Sequence, residues 1–122
     1  MILVVDDDEV LTEMLQSALE KKGYQIEVAH DGGEALEYLK DPHCKLMLLD
    51  INMPRINGAE LLILMASEGI DIPTIVMAGF PDYTEKEMKS FPGVKDFLPK
   101  PFTLPTLLKL VDEVVNKGEK KS

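Results

Sequence analysis

Three short apolar segments, each followed by charged side chains, constrain the fold of this 122-residue chain more than any other feature. Residues 2–5 precede three consecutive aspartates, residues 46–49 precede Asp50, and residues 97–99 precede Lys100. Short runs of aliphatic and β-branched residues that end at polar residues are typical of strands buried on both faces of a parallel sheet. We therefore expect these charged side chains to meet at the carboxyl edge of one sheet, where open α/β sheets bind ligands.

The rest of the chain alternates in the same way between strand and helix signals. Further strands are predicted over residues 26–29, 73–77 and 94–98, and helices over residues 9–22, 34–40, 59–67, 82–90 and from Thr103 onward. The apolar spacing in the first helix predicts a buried face formed by Val10, Met14, Leu15, Ala18 and Leu19. Five strand–helix units favour a doubly wound α/β domain over residues 1–117, with helices on both faces and a charged flexible tail at 118–122.

Composition limits the functions that such a domain can have. The formal net charge is −9 and the basic cluster Lys120-Lys121 lies in the tail, so direct nucleic-acid binding is not expected. No apolar stretch approaches the ~20 residues that span a membrane, and one cysteine, Cys44, fits a reducing cytoplasm. Because Met1 leads directly into a strand, we expect no signal peptide and interpret the chain as a stand-alone protein or an N-terminal module cut at its linker.

The carboxylates at the predicted sheet edge require a nearby cation. Asp6, Asp7 and Asp50 cannot all be ionised at close range without compensation, because like charges raise one another's pKa. A small set of hard oxygen ligands favours Mg²⁺ over Ca²⁺, and Lys100 adds a point charge suited to a phosphoryl oxygen. Asp8 is explained differently, as the N-cap of the first helix.

Three segments, spread over nearly the whole chain, carry a resemblance to a known family. Residues 2–8 (ILVVDDD), residues 48–54 (LLDINMP) with Gly58, and residues 96–102 (DFLPKPF) resemble the receiver domain of two-component response regulators. The resemblance implies a flavodoxin-like sheet with the strand order 2-1-3-4-5. It also implies that the Lys100-Pro101 peptide bond is cis.

The resemblance assigns a role to each residue of the acidic cluster. Asp50 would accept the phosphoryl group and Lys100 would contact it. Asp6 and Asp7, together with Asp50 and the backbone carbonyl of Asn52, would bind Mg²⁺. The chain would then be a signalling phosphoacceptor that catalyses phosphotransfer to its own aspartate and slowly dephosphorylates itself, and not an enzyme with a separate substrate.

The residues expected to transmit the signal depart from the family at one position. Phe97 matches the aromatic residue that changes rotamer on activation. Where the family has a Thr or Ser at the end of the fourth strand, however, this chain has Ala78, followed by Gly79. Thr74 cannot replace the missing hydroxyl, because it lies at the entry of the strand, several residues of about 3.3 Å rise away. The resemblance therefore implies weakened switching.

The implied partners are proteins. A sensor histidine kinase or a phosphotransfer protein would donate the phosphoryl group, and a downstream effector protein or domain would bind the face formed by the fourth helix, fifth strand and fifth helix. One alternative is a degenerate receiver that acts as a phosphorylation-independent interaction module. Another is a Mg²⁺-dependent hydrolase similar to haloacid dehalogenases, which would need an acid where this chain has Asn52. His30, His43 and Cys44 are expected to be ordinary structural residues.

Overall fold

One parallel sheet organises the chain, and the computed structural model describes residues 1–53, 57–79 and 85–119. Its five strands are β1 (Ile2–Val5), β2 (Ile26–Ala29), β3 (Leu46–Asp50), β4 (Thr74–Ala78) and β5 (Val94–Pro99). They pair in parallel in the order β2-β1-β3-β4-β5. The predicted doubly wound α/β fold and its implied strand order are confirmed.

In the part of the chain that the structure describes, five helices cover the two faces of the sheet. They are α1 (Glu9–Lys21), α2 (Gly32–Leu39), α3 (Gly58–Ser67), α4 (Glu85–Lys89) and α5 (Leu104–Glu119). Alternate residues of β1 face opposite sides: Leu3 and Val5 pack with buried side chains of α2, α3 and α4, whereas Ile2 and Val4 pack with those of α1 and α5. The central strands are buried on both faces, which explains why their sequences are continuously apolar.

Side-chain caps fix where four of the helices begin, and the cap of α5 is Thr103, whose hydroxyl accepts from the Thr106 amide at 3.3 Å. Asp8, Asp31 and Asn57 accept hydrogen bonds from backbone amides three residues further on, at 3.1, 2.9 and 2.9 Å. The N-cap role predicted for Asp8 is confirmed. The predicted start of α2 at residue 34 is wrong by two residues, because Asp31 is its cap and the following glycines already belong to the helix.

The buried face of α1 differs from its prediction. Leu15 and Leu19 are fully buried, as expected, but Val10 is 76% exposed and Met14 is 45% exposed. Thr12 is buried in their place, and its hydroxyl donates to the Glu9 carbonyl at 3.0 Å. The helix is therefore rotated relative to the face that the apolar residues indicated, since a polar side chain satisfied within its own helix can be buried at small cost.

The predicted bounds of the fourth helix and of the C-terminal tail can be compared with the structure only in part. The predicted fourth helix over 82–90 is observed at Glu85–Lys89, and its first predicted residues lie outside the described part. Helix α5 continues to Glu119, so it enters the segment expected to be a flexible tail from residue 118. The remaining tail residues, 120–122, also lie outside the described part, and the boundary at 117 stays a prediction.

The strand register aligns the residues of the expected site. Val5 pairs with Leu49, and Ala78 pairs with Pro99. The residues that follow these pairs are Asp6 and Asp50 in the centre of the sheet and Lys100 at the end of β5. The carboxyl edge of the sheet therefore carries the three charged positions side by side, as in other open α/β sheets that bind ligands there.

Candidate functional site

Two buried aspartates and one lysine meet at the carboxyl edge of the central strands. Asp6 is 0% exposed and Asp50 is 3% exposed. The Lys100 Nζ atom lies 2.9 Å from Asp6 Oδ2 and 3.6 Å from Asp50 Oδ2. The predicted convergence of these residues is confirmed, and the ammonium group sits closer to Asp6 than to Asp50.

A third carboxylate completes an acidic cluster. Asp7 is exposed, and one carboxylate oxygen from each of Asp6, Asp7 and Asp50 lies within 4.8 Å of the other two. Three ionised carboxylates facing one ammonium group leave two negative charges uncompensated, which matches a divalent cation. Carboxylate oxygens at this separation, open to solvent on the Asp7 side, fit the oxygen coordination and retained waters that Mg²⁺ prefers.

Backbone amides hold the two buried carboxylates in place. The Asp8 amide donates to Asp6 Oδ1 at 2.9 Å, and the Asn52 amide donates to Asp50 Oδ1 at 3.1 Å. Each carboxylate thus has one oxygen fixed by the chain two residues further on and a second oxygen facing Lys100. Both side chains are oriented before any ligand arrives.

Burial by itself shifts the pKa of Asp50 upward and the pKa of Lys100 downward. Burial, together with the charge of Asp6, raises the pKa of the Asp50 carboxyl to about 6, although the Asn52 amide and Lys100 oppose this shift. Burial alone would lower the pKa of Lys100, but the hydrogen bond and the charges of Asp6 and Asp50 outweigh it and raise the pKa. The site therefore holds a cationic lysine beside a carboxylate that is largely ionised at pH 7.

The end of β4 brings no side-chain hydroxyl to the site. Ala78 is the last residue of β4 and is buried, and its carbonyl accepts a hydrogen bond from the Lys100 amide at 2.7 Å. Thr74 lies at the other end of the strand, where its hydroxyl donates to the Ile72 carbonyl at 3.0 Å. The expectation that Thr74 cannot substitute is confirmed. The Lys100–Pro101 peptide bond is cis, as the resemblance implied.

Phe97 lies on β5 opposite Val76 and is half-buried. Its side chain packs against the core cluster that also contains Ala78. Its backbone amide donates to the Asp96 carboxylate at 2.8 Å. The aromatic side chain therefore lies on the same side of the sheet as Ala78.

One contact of the site could not be read from the sequence. A Cβ atom built on Gly58 would lie 2.6 Å from Ile51 Cα and 2.9 Å from the Asp50 carbonyl oxygen. The Gly58 amide also donates to the Ile51 carbonyl at 3.1 Å. The start of α3 thus rests directly on the backbone that follows β3. The glycine at residue 58 allows this contact, but its presence in the sequence does not say which backbone it approaches.

The other residues considered in the sequence have no part in this cluster. His30 and His43 are exposed, and Cys44 is buried with a raised pKa caused chiefly by burial. Within residues 1–53, 57–79 and 85–119, the group suited to a metal ion consists of Asp6, Asp7 and Asp50. In the same part of the chain, no helix combines the length and apolar character needed to cross a membrane.

Comparison with known proteins agrees with this geometry. A family model described as the response regulator receiver domain matches residues 2–112. The response regulator MprA of Mycobacterium ulcerans is 41% identical over 107 residues, which cover 88% of this chain and 46% of that protein. MprA of Mycobacterium avium is 40% identical over the same length, with 47% of its own length covered. The chain thus spans just under half the length of these curated relatives.

Solved structures resemble the fold over almost the whole chain. The receiver domain of the Francisella response regulator 1452 has a TM-score of 0.84 at 29% identity, covering 96% of this chain and 97% of that one. The response regulator TrrA from Thermotoga maritima, crystallised in complex with Mg(2+)-BeF, has a TM-score of 0.80 at 30% identity. That match covers 93% of this chain and 96% of TrrA.

Proposed function

This chain belongs to the response regulator receiver domain family, and on that premise we propose that Asp50 accepts a phosphoryl group in a phosphorelay. The observation that carries the proposal is the position of Asp50, buried at the end of β3 with Lys100 Nζ 3.6 Å from its Oδ2 atom. A carboxylate held beside a cation at a sheet edge is suited to attack phosphorus without a general base.

The reaction is a displacement at phosphorus. An oxygen of the ionised Asp50 carboxylate forms a bond to phosphorus while the bond from phosphorus to the donor's imidazole nitrogen breaks and leaves its electron pair on that nitrogen. The ammonium of Lys100 faces the phosphoryl oxygens. Water later attacks phosphorus, releases inorganic phosphate and restores the carboxylate, so the domain catalyses its own phosphorylation and resetting.

The acidic cluster is the proposed magnesium site. Asp6, Asp7 and Asp50 would supply carboxylate oxygens, and Asn52 would supply its backbone carbonyl. When bound, the ion would neutralise the charge on the phosphoryl oxygens. Support comes from the spacing of the three carboxylates and from TrrA, the similar protein crystallised with Mg(2+)-BeF.

The donor would be a sensor histidine kinase or a phosphotransfer protein in the cytoplasm. An apolar groove beside the site suits a protein donor: it is lined by Leu11, Met14, Phe102 and Leu104, and Lys100 and Gly79 form its end next to the cluster. Met14 is 45% exposed, so this apolar lining is open to a partner. A partner seated there would bring a phosphorylated histidine to the same edge as Asp50.

The output is proposed to run through α4, β5 and α5 to an effector protein or an attached effector domain. In the family scheme, a hydroxyl at the end of β4 would follow the phosphoryl group and Phe97 would follow the hydroxyl. Ala78 lacks that hydroxyl, so phosphorylation would be transmitted weakly. The same observation favours a second candidate, in which the domain binds its partner independently of phosphorylation.

The proposed acceptor is tested by incubating the protein with acetyl phosphate and Mg²⁺ and measuring its intact mass. Wild-type protein is expected to gain one phosphoryl group, and Asp50→Asn is expected to gain none. An equal gain in Asp50→Asn would place the acceptor elsewhere. A wild-type protein without any gain, although folded and saturated with Mg²⁺, would favour the phosphorylation-independent module.

A further inference from the structure

The contact between Gly58 and the end of β3 has a consequence for the acidic cluster. At Gly33 and Gly79 the nearest atoms to an added Cβ would lie 3.2 and 3.9 Å away, whereas at Gly58 the Ile51 Cα would lie at 2.6 Å and the Ile51 Cδ1 at 2.7 Å. Carbon atoms pack at about 3.5–4.0 Å. A side chain at Gly58 would therefore push α3 and the backbone after Asp50 apart by roughly 1 Å.

That backbone is the part of the chain from which the cluster takes its ligands. The Ile51 amide donates to the Met77 carbonyl at 3.0 Å, and the Ile51 carbonyl accepts from the Gly58 amide at 3.1 Å. Both peptide groups of Ile51 are thus fixed, one by β4 and the other by the first residue of α3. The next amide, that of Asn52, is fixed by Asp50 Oδ1 at 3.1 Å.

The Asn52 carbonyl takes part in none of these hydrogen bonds and is therefore available to a ligand. Among the residues that the structure describes, no donor is bonded to it, while the peptide group that precedes it is held by Gly58 through the Ile51 carbonyl and by Asp50 through the Asn52 amide. Mg²⁺ demands near-ideal octahedral geometry at ~2.0–2.1 Å, so a displacement of roughly 1 Å in a ligand would be poorly tolerated.

From these contacts we infer that Gly58 is a positioning residue for the metal site, because its missing side chain lets α3 hold the backbone of residues 50–52 in ligating register. The inference rests on the proposed Mg²⁺ site. It assigns to the glycine a role in metal affinity that is separate from its place as the first residue of α3. Residues that orient metal ligands typically change affinity by about 10–100-fold when they are substituted.

The test is a Mg²⁺ titration followed by the amide NMR signals of Asn52 and Asp7, which reports binding without requiring phosphorylation. Gly58→Ala is expected to bind Mg²⁺ at least about tenfold more weakly than the wild type. Gly33→Ala makes the same chemical change in the first turn of α2 and is expected to stay within about threefold of the wild type.

Two further variants separate positioning from general packing. Met65→Ala removes a buried side chain of α3, so it should lower the melting temperature while the Mg²⁺ affinity stays near that of the wild type. Ile51→Val removes the Cδ1 atom but leaves the Cα atom 2.6 Å from the added Cβ, so it should not restore affinity to Gly58→Ala.

Each other outcome overturns the inference. The inference is wrong if Gly58→Ala binds Mg²⁺ with wild-type affinity. It is also wrong if Met65→Ala loses affinity tenfold, or if adding Ile51→Val to Gly58→Ala restores affinity, because α3 packing and not the backbone contact would then govern the site. Failure of Gly58→Ala to fold would make the glycine a requirement of the fold itself. If the wild type also fails to respond to Mg²⁺, the proposed metal site fails, which is a result distinct from a loss confined to Gly58→Ala.

Discussion

The two halves of the carboxyl edge are equipped differently. The acidic half, formed by Asp6, Asp7 and Asp50, has its buried carboxylates fixed by backbone amides and faced by Lys100. The β4–β5 half, formed by Ala78 and Phe97, packs as apolar core and offers no side-chain hydroxyl to the site. The residues proposed for the reaction and those proposed for its readout are therefore separate, so one set can be complete without the other.

The different supports of the two halves explain how this separation arises. Asp6 and Asp50 follow central strands that are buried on both faces, and two backbone hydrogen bonds orient them. The readout implied by the family depends on one hydroxyl, and its loss leaves a strand end that still pairs normally, with Ala78 opposite Pro99. We therefore expect a substitution at residue 78 to change the proposed readout while the strand pairing stays intact.

The largest predicted effect is the loss of stability caused by burying the ionised carboxylate of Asp50 in the acidic half. The pKa of Asp50 is raised from 3.8 to about 6 in the folded protein, chiefly by burial. Between these values the native state binds more protons than the unfolded state, so the free energy of unfolding falls as pH rises. Asp50→Asn lacks this titration. Without Mg²⁺, it should be more stable than the wild type by up to about 3 kcal/mol above pH 6.

Urea unfolding at several pH values measures this difference. The advantage of Asp50→Asn should shrink as pH falls below 6 and approach zero near about pH 3, because the wild-type carboxyl is protonated in both states only below its unfolded pKa of 3.8. Glu13→Gln, which changes an exposed acid on α1, should show no comparable advantage. An advantage for Asp50→Asn that is the same at pH 4 and pH 7 would contradict the burial argument.

The second prediction concerns the β4–β5 half. A hydrogen bond to a charged oxygen contributes ~1.5–3 kcal/mol, so a hydroxyl at residue 78 could strengthen the coupling between Asp50 and Phe97 by about 2 kcal/mol. That would change the ratio of active to inactive conformations more than tenfold. With beryllofluoride and Mg²⁺, Ala78→Thr should show larger NMR shifts than the wild type around Phe97 and α5.

A matched control isolates the hydroxyl. Ala78→Val has nearly the same shape as Ala78→Thr but cannot donate a hydrogen bond, so its response to beryllofluoride should remain that of the wild type. If the wild type already shows a full response and Ala78→Thr shows no more, another donor compensates for Ala78. In that case the two halves are coupled after all, and the weakened-switch interpretation is wrong.

The sequence predicted the acidic half better than the surroundings that support it. Strand ends are marked by a change from apolar to charged residues, so the convergence of Asp6, Asp50 and Lys100 followed from a parallel sheet. The exposure of Val10 and the contact of Gly58 with Ile51 depend on how helices rotate and approach the sheet. Apolar spacing cannot specify either quantity, because both are set by packing between distant segments.

The resemblance to a family added what periodicity could not provide. The strand order places β3 between β1 and β4, and no local signal in the sequence encodes this order. Local capping signals were more informative, since Asp8 was identified as a cap, but the start of α2 was predicted at residue 34, two residues late. Two successive glycines obscured that start, because glycine weakens the helix pattern on which the boundary was judged.

The smallest predicted effect tests whether the acidic half binds Mg²⁺ as a unit. A ligand that binds the native state alone stabilises it by RT ln(1 + [L]/Kd), which is about 1.4 kcal/mol at tenfold excess over Kd. For a domain of this size, such a gain raises the melting temperature by about 4–7 °C. At constant ionic strength, wild-type protein should show this rise with Mg²⁺, and Asp7→Ala should show almost none.

Asp7 is the appropriate position for this test because it is exposed, so its removal changes the cluster without opening the core. Glu13→Ala removes the same charge from an exposed site on α1 and should retain the full rise, which separates coordination from general electrostatic attraction. An undiminished rise in Asp7→Ala would place the ion away from the three carboxylates. An equal loss in both variants would mean that net charge, and not the geometry at the ends of β1 and β3, attracts the cation.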